Sequence, residues 1–254
     1  MSDELQIEPH GPVRVLRISR PQARNAMTGT LARRIAAAID ALEADDTCRV
    51  AVITGDGGHF CAGMDLKAFT QGELPWDPVR GFGGLTERPP AKPIIAAVEG
   101  YAVAGGFELA LACDLIVAAD NAQFGLPEVR RGLVASAGGL MRLPRRLPYF
   151  LAMEMALTGD LLSAERAWSQ GLVNRLAAPG EALAQALQLA ARIAEQAPLA
   201  VRASKRIVIE SATWPADEMF ARQAPLADPI GHSADALEGA RAFAEKRAPV
   251  WRGR

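Results

Sequence analysis

The sequence predicts an α/β fold on three observations: two short β-branched runs, helical apolar stripes placed between such runs, and a second half that is helical in pattern throughout. Residues 49–54 (RVAVIT) and 93–98 (PIIAAV) are apolar at nearly every position, as in parallel strands buried on both faces. Ahead of them, Val13, Val15 and Ile18 interleave with Arg14 and Arg17, which suits a strand over 13–18 with one wet face. A turn follows at Arg20-Pro21. Leu31, Ile35, Ile39 and Leu42 then recur at helical spacing behind Thr28 or Thr30, either of which suits an N-cap, with Arg33, Arg34, Asp40 and Glu43 on the solvated side.

Residues 70–90 carry eight glycines and prolines without a period and read as a long, mobile connection of the kind that forms lids or binding loops. Helices are expected over 148–158, opened by Pro148 and stopped by Gly159, and over 163–170, between Ser163 as cap and Gly171 as terminator. Leu183, Leu187, Ala190 and Ala194 stripe another, and Pro198 opens the next. Past Ser211 the composition turns to proline, aspartate and charge, with a last helix expected over 234–246 and no internal repeat detectable along the chain.

The chain has 254 residues, 28 basic and 29 acidic, so its formal net charge is -1. A chain of this length supports one large core, here read as one domain with an appendage. Near-neutral charge supplies no long-range field for a phosphate polymer or an anionic bilayer, so neither nucleic acid nor membrane is an expected partner. Cys48, Cys61 and Cys113 show no C-x-x-C spacing, and with only His10, His59 and His232 beside them, neither a disulfide scaffold nor a metal site is expected. An acidic N-terminus, and no apolar run of about 18 residues, make the cytoplasm the expected location.

Phosphate-cradling loops of the G-x-x-x-x-G-K-[ST] and G-x-G-x-x-G kinds are absent, as is a G-x-S-x-G nucleophile elbow. Two carboxylates stand out instead. Glu108 lies in GGFELALAC (105–113) among apolar neighbours, and Glu128 closes QFGLPE (123–128). Read alone, Glu108 fits catalysis about as well as it fits a solvated helix face or an ion pair with an arginine such as Arg130, while Glu128 fits an ordinary first-turn glutamate. Gly105-Gly106 and Gly63-Met64 suit the presentation of backbone N–H groups to a carbonyl oxygen, though each alone reads as a turn or packing glycine.

Taken together, FCAGMDL (60–66), KPIIAAVEGYAVAGGFE (92–108) and QFGLPE (123–128) resemble the crotonase, or enoyl-CoA hydratase/isomerase, superfamily, and the likeness runs from RPQARNA (20–26) to AFAEKR (242–247). The resemblance implies a spiral of repeated ββα units over residues 1–197 with a C-terminal helical assembly region over 198–254. It also implies a lyase that adds water reversibly to a 2-enoyl-CoA thioester. In that reading Met64 and Gly105 form an oxyanion hole, Ala62, Gly63, Asp65 and Leu66 line the channel, and Glu108 and Glu128 handle water and proton. Ser136 replaces a glycine of the family pattern near the water. Coenzyme A is part of the substrate, so no separate cofactor is expected. By the same likeness Arg24, Ala26, Phe243 and Lys246 meet coenzyme A, the last two from a neighbouring subunit of a homotrimer or a dimer of trimers. The C-terminal stretch and GFELALA (106–112) look particularly like carnitinyl-CoA dehydratases, which leaves that dehydration as one alternative, and an isomerase or an idle acyl-CoA binder as others.

Overall fold

A computed structural model describes residues 4–254. Strands β1 (Leu5–His10) and β2 (Val13–Ile18) form an antiparallel hairpin, α1 (Gly29–Ala44) crosses over, and β3 (Val50–Gly55) returns parallel to β2. There follow α2 (Leu66–Thr70), a small hairpin of β4 (Trp76–Asp77) and β5 (Gly81–Phe82), then β6 (Ile94–Val98), β7 (Tyr101–Val103), α3 (Gly105–Ala112), β8 (Leu115–Ala119) and β9 (Gln123–Gly125). A 3-10 turn, Pro127–Arg131, leads to α4 (Gly139–Arg142), α5 (Tyr149–Thr158), β10 (Leu162–Ser163), α6 (Ala164–Ser169) and β11 (Arg175–Ala177). Four helices end the chain: α7 (Ala182–Ala194), α8 (Pro198–Ser211), α9 (Met219–Gly231) and α10 (Ala234–Glu245).

The large sheet runs β1-β2-β3-β6-β8-β11, parallel from β2 onward, and the smaller one runs β10-β9-β7. Period-two alternation divides the buried strands between two cores. Val50, Val52, Ile95, Ala97 and Val117 pack on the small residues Ala186, Ala190 and Ala194 of α7, whereas Ala51, Ile53, Ile94, Ala96 and Val98 face the main core between the sheets. Both faces are therefore dry, which is why these runs are apolar at nearly every position, the buried Thr54 hydroxyl donating to the Ala97 carbonyl.

Successive turns of the chain repeat one path. A strand of the large sheet is followed by a short stretch in the second layer and then by a helical turn: β6, β7, α3; β8, β9, the 3-10 turn; and β3, a single bridge of Cys61 to Ala102, α2. Such repetition stacks the starts of these helical turns at one end of the molecule.

Most local expectations match. Thr28, not Thr30, caps α1, its Oγ1 accepting from the Leu31 N–H at 3.2 Å, and Ser163 caps α6. One reading needs correction, and two elements stand outside the sequence pattern. Residues 70–90 are a tethered wall rather than a mobile connection: Glu73 accepts from the Gly29 N–H, buried Arg80 pairs with Asp40 at 2.6 Å, and Phe82 and Leu85 enter the core. Strand β1 escapes the pattern because it is an edge strand with Pro9 within it and Ile7 turned out to solvent. Helix α9 forms despite Pro225 and Pro229 inside it, packed between α8 and α10.

Candidate active site

Two backbone segments meet at the end of the spiral. Met27 N–H donates to the Gly63 carbonyl at 2.7 Å and Asp65 N–H to the Met27 carbonyl at 2.9 Å, so the intervening Met64 N–H points to the other side. Gly105 is the first residue of α3, where helix N–H groups have no intrahelical acceptor. Neither the Met64 nor the Gly105 N–H finds an acceptor among the described residues. Close approach of the two segments needs missing side chains. A Cβ on Gly63, at φ +93°, would lie 2.8 Å from the Ala104 Cβ and 3.1 Å from the Gly105 N, and one on Gly106 would lie 2.0 Å from the Cys61 carbonyl. A Cβ on Gly105 would strike the Phe82 ring, 2.2 Å from its nearest carbon.

Ala104, between these donors, has φ 53° and ψ −133°, a conformation that costs a non-glycine residue about 1–3 kcal/mol. Its N–H donates to the Gly125 carbonyl at 2.9 Å and its carbonyl accepts from Phe107 and Glu108. The surrounding hydrogen bonds thus hold the strained turn that aims Gly105. An Ala104→Gly variant is expected to unfold at higher temperature, with a gain of about 1 kcal/mol after the entropy of a flexible glycine is counted, and a lower melting temperature would show that the turn stores no strain.

Glu108 sits one helical turn into α3 and is 3% exposed. Its Oε1 accepts from the Gly139 N–H at 2.8 Å, with the Ala137 N–H also directed at it. Burial pushes its pKa up; these donors and the nearby Arg142 charge pull it back. It makes no pair with Arg130, whose guanidinium binds Asp160 and the Thr158 carbonyl. Glu128, in the 3-10 turn, has its pKa pushed up to about 7, first by burial and further by the charge of Glu108. Glu128 Oε2 is buried with no hydrogen-bond partner among the described residues. An orphaned buried acceptor of this kind calls for a partner that the protein itself does not supply.

The remaining sequence-predicted residues divide. Asp65 is occupied structurally, capping α2 at the Lys67 and Ala68 N–H groups and pairing with Arg20 at 3.0 Å. Ala62 donates to the Arg24 carbonyl, and the exposed Arg24 guanidinium lies 5.6 Å from the centre of the Tyr101 ring. Ala26 is buried with its carbonyl accepting from Arg20; Leu66 and Ser136 are exposed. Phe243, at 87% exposure, belongs to no core of this chain, and Lys246 ends α10 in a left-handed turn. No side-chain contact joins either to the carboxylate pair among the described residues. A cleft of about 310 Å³ beside Lys92, Arg202 and Trp251 lies at the N-terminal ends of β3 and β6, away from this chemistry. Sequence reasoning missed Phe82, Ala137 and Gly139. Backbone donors leave no residue-type signature, and Phe82 carried only the hint of its flanking glycines.

The comparisons agree with this geometry. A family model described as enoyl-CoA hydratase/isomerase matches residues 8–254. A carnitinyl-CoA dehydratase from Salmonella typhi is 45% identical over 263 aligned positions that cover 100% of each chain. Among solved structures, the enoyl-CoA hydratase EchA1 from Mycobacterium marinum superposes with a TM-score of 0.97 at 56% identity, covering 99% of each chain. A carnitinyl-CoA hydratase from Mycobacterium avium gives a TM-score of 0.80 at 41% identity over 100% of both. With two free backbone donors beside a buried and a half-buried glutamate on a crotonase-type spiral, the chain belongs to the enoyl-CoA hydratase/isomerase family.

Proposed function

We propose that this chain is a lyase that adds water reversibly across the double bond of a 2-enoyl-CoA thioester. The observation that carries the reading is the pairing of Glu108 with Glu128, the second with an unsatisfied buried oxygen, beside two unpaired N–H groups. The Met64 and Gly105 N–H groups hold the thioester oxygen as it gains charge, and because they are already oriented they need no reorganisation. Ionised Glu108 takes a proton from water as the water oxygen bonds to C3. The double-bond electrons move toward the thioester, and protonated Glu128 delivers its proton to C2. Dehydration runs the same steps backward, and no separate cofactor or metal is required because coenzyme A arrives with the substrate.

This division fixes a pH dependence. Turnover in either direction needs the carboxyl pair to hold one proton, so kcat/KM for hydration is expected to fall as pH rises through about 7, and kcat/KM for dehydration, whose reactive form is a tautomer with the same proton count, falls with it. A kcat/KM for hydration that stays flat between pH 6 and pH 8 would overturn the assignment.

The dehydration of carnitinyl-CoA or a related hydroxyacyl-CoA is a second reading, favoured by the full-length likeness to the Salmonella typhi dehydratase. A panel of enoyl-CoA and hydroxyacyl-CoA substrates followed by mass spectrometry separates the two, and selective turnover of carnitinyl-CoA would displace the first. Binding of thioesters with neither hydration nor solvent hydrogen exchange at C2 would mark an idle binder, and shift of the double bond without water addition an isomerase.

Residues 198–254 are proposed as the assembly region of a homotrimer or a dimer of trimers, with Phe243 and Lys246 meeting a neighbour's coenzyme A. Support comes from α8 and α9, which bury no residue fully, and from Phe220 and Phe243, which are 85% and 87% exposed. No helix among the described residues is long and apolar enough to cross a membrane, and a cytoplasmic location is part of the proposal.

A further inference from the structure

Arg142 is a charged group that the two-glutamate scheme leaves unused. It closes α4, the short helix that begins at Gly139, the donor to Glu108. Its guanidinium folds back along its own loop: Nη1 donates to the Ala137 carbonyl at 3.3 Å, and Nη2 donates across to the Thr86 carbonyl at 2.5 Å. Contact with the loop is so close that a Cβ on Gly138 would lie 2.1 Å from Nη1. No carboxylate lies within ion-pair distance of Arg142 among the described residues, yet Glu108 is near enough for the two charges to act on one another. A guanidinium held in partly dry surroundings by two main-chain carbonyls, without a carboxylate in contact, costs solvation that packing alone would not require.

We propose that Arg142 is a positioning residue for the glutamate pair: it clamps the loop whose N–H groups hold Glu108 to the 70–90 wall and supplies the positive charge that faces Glu108. Three chain segments meet at this one side chain. The Ala137 carbonyl it grips belongs to the residue whose own N–H points at Glu108, so the donors cannot drift from the carboxylate without breaking the clamp. The Thr86 contact ties the same loop to the segment that places Phe82 against Gly105, linking the carboxylate side of the site to the oxyanion side. A planar fork with several fixed donors suits this double grip, which an ammonium on a flexible stem reproduces only in charge.

The charge has its own consequence. Facing Glu108 are Arg142 and Glu128; Arg131 acts on Glu128, and Cys113 and Arg146 lie near Arg142. The Gly139 and Ala137 N–H groups, and after them the Arg142 charge, favour the ionised form of Glu108, so Glu108 is the member of the pair that ionises first, and Glu128 keeps the proton. Removing the charge raises the pKa of Glu108, and the acid limb of hydration, which needs that carboxyl ionised, moves to higher pH.

The inference rests on the hydratase reading, and the test separates their failures. Wild type, Arg142→Gln and Arg142→Lys are compared in crotonyl-CoA hydration from pH 5 to pH 9, and the Glu108 carboxyl, assigned with Glu108→Gln, is titrated by carbon-13 NMR of glutamate-labelled protein without substrate. Expected for Arg142→Gln is a kcat lowered roughly tenfold or more with the acid limb and the NMR titration both displaced upward. Arg142→Lys is expected to keep the titration near that of wild type while kcat stays reduced, because charge returns and the double grip does not. An unmoved Glu108 titration in a folded Arg142→Gln protein overturns the inference, whatever the substrate proves to be. If that variant does not fold, Arg142→Lys decides: full kcat there overturns the clamp. Wild type that fails to hydrate crotonyl-CoA while the titration moves as expected sinks that choice of substrate and leaves Arg142 standing.

Discussion

Glu108→Gln and Glu128→Gln are each expected to lower kcat for hydration by at least about 10²-fold while leaving the fold intact, since an amide keeps the shape of the carboxyl but cannot exchange its proton. Single-turnover kinetics on purified variants checks this, and unchanged rates in both would reject the two-acid mechanism. The variants differ in a second respect. Glu108 accepts from the Gly139 N–H, and an amide oxygen can still accept there; Glu128 Oε2 has no partner to lose. Because burial raises the Glu128 pKa to about 7 from an ordinary 4.5, the folded protein holds that proton more tightly than the unfolded chain does. The stabilising contribution is complete below about pH 4.5 and is lost as pH rises through 7. At pH 8 the Glu128→Gln protein is therefore expected to be more stable than wild type by about 1–2 kcal/mol, and less so at pH 5. Denaturant unfolding at both values reads the difference, and a Glu128→Gln protein weaker than wild type at pH 8 would show that the carboxylate is structurally satisfied after all.

Gly105→Ala is expected to cost about 10²–10³-fold in kcat, the size of losing one oxyanion donor, although the N–H itself remains. The new methyl group would lie 2.2 Å from a Phe82 carbon and within 3 Å of two others, so either the ring or the α3 N-terminus must move. Phe82 is buried and is braced edge-on by Trp76, whose Nε1 donates to Glu87. That brace makes displacement of the backbone donor the expected outcome. Combining Gly105→Ala with Phe82→Ala opens the space, and recovery of kcat to within about tenfold of the Phe82→Ala single variant would show that geometry alone was lost. No recovery would place the defect in the turn at Ala104 instead.

Much of this was written in the sequence. The buried runs that became β3 and β6 could be read because a strand dry on both faces must be apolar at nearly every position, and caps such as Ser163 could be read because an N-cap acts through its immediate neighbours. The glutamates and glycines at 63, 105 and 106 were legible as residue types, and only their joint occurrence in order pointed to one chemistry. Tertiary structure decided the rest. Glu108 and Glu128 became a coupled pair only when successive turns of the spiral stacked α3 beside the 3-10 turn. The donors to Glu108 are main-chain groups of Ala137 and Gly139, whose side chains say nothing of that duty. Residues 70–90 lacked periodicity because their order comes from Arg80 on Asp40 and from the Arg142 clamp on Thr86, partners distant in the chain. Local pattern fixes which residues are helix, strand and acid. Which backbone N–H is left unpaired, and which carboxyl keeps its proton, depends on contacts between segments that no local window contains.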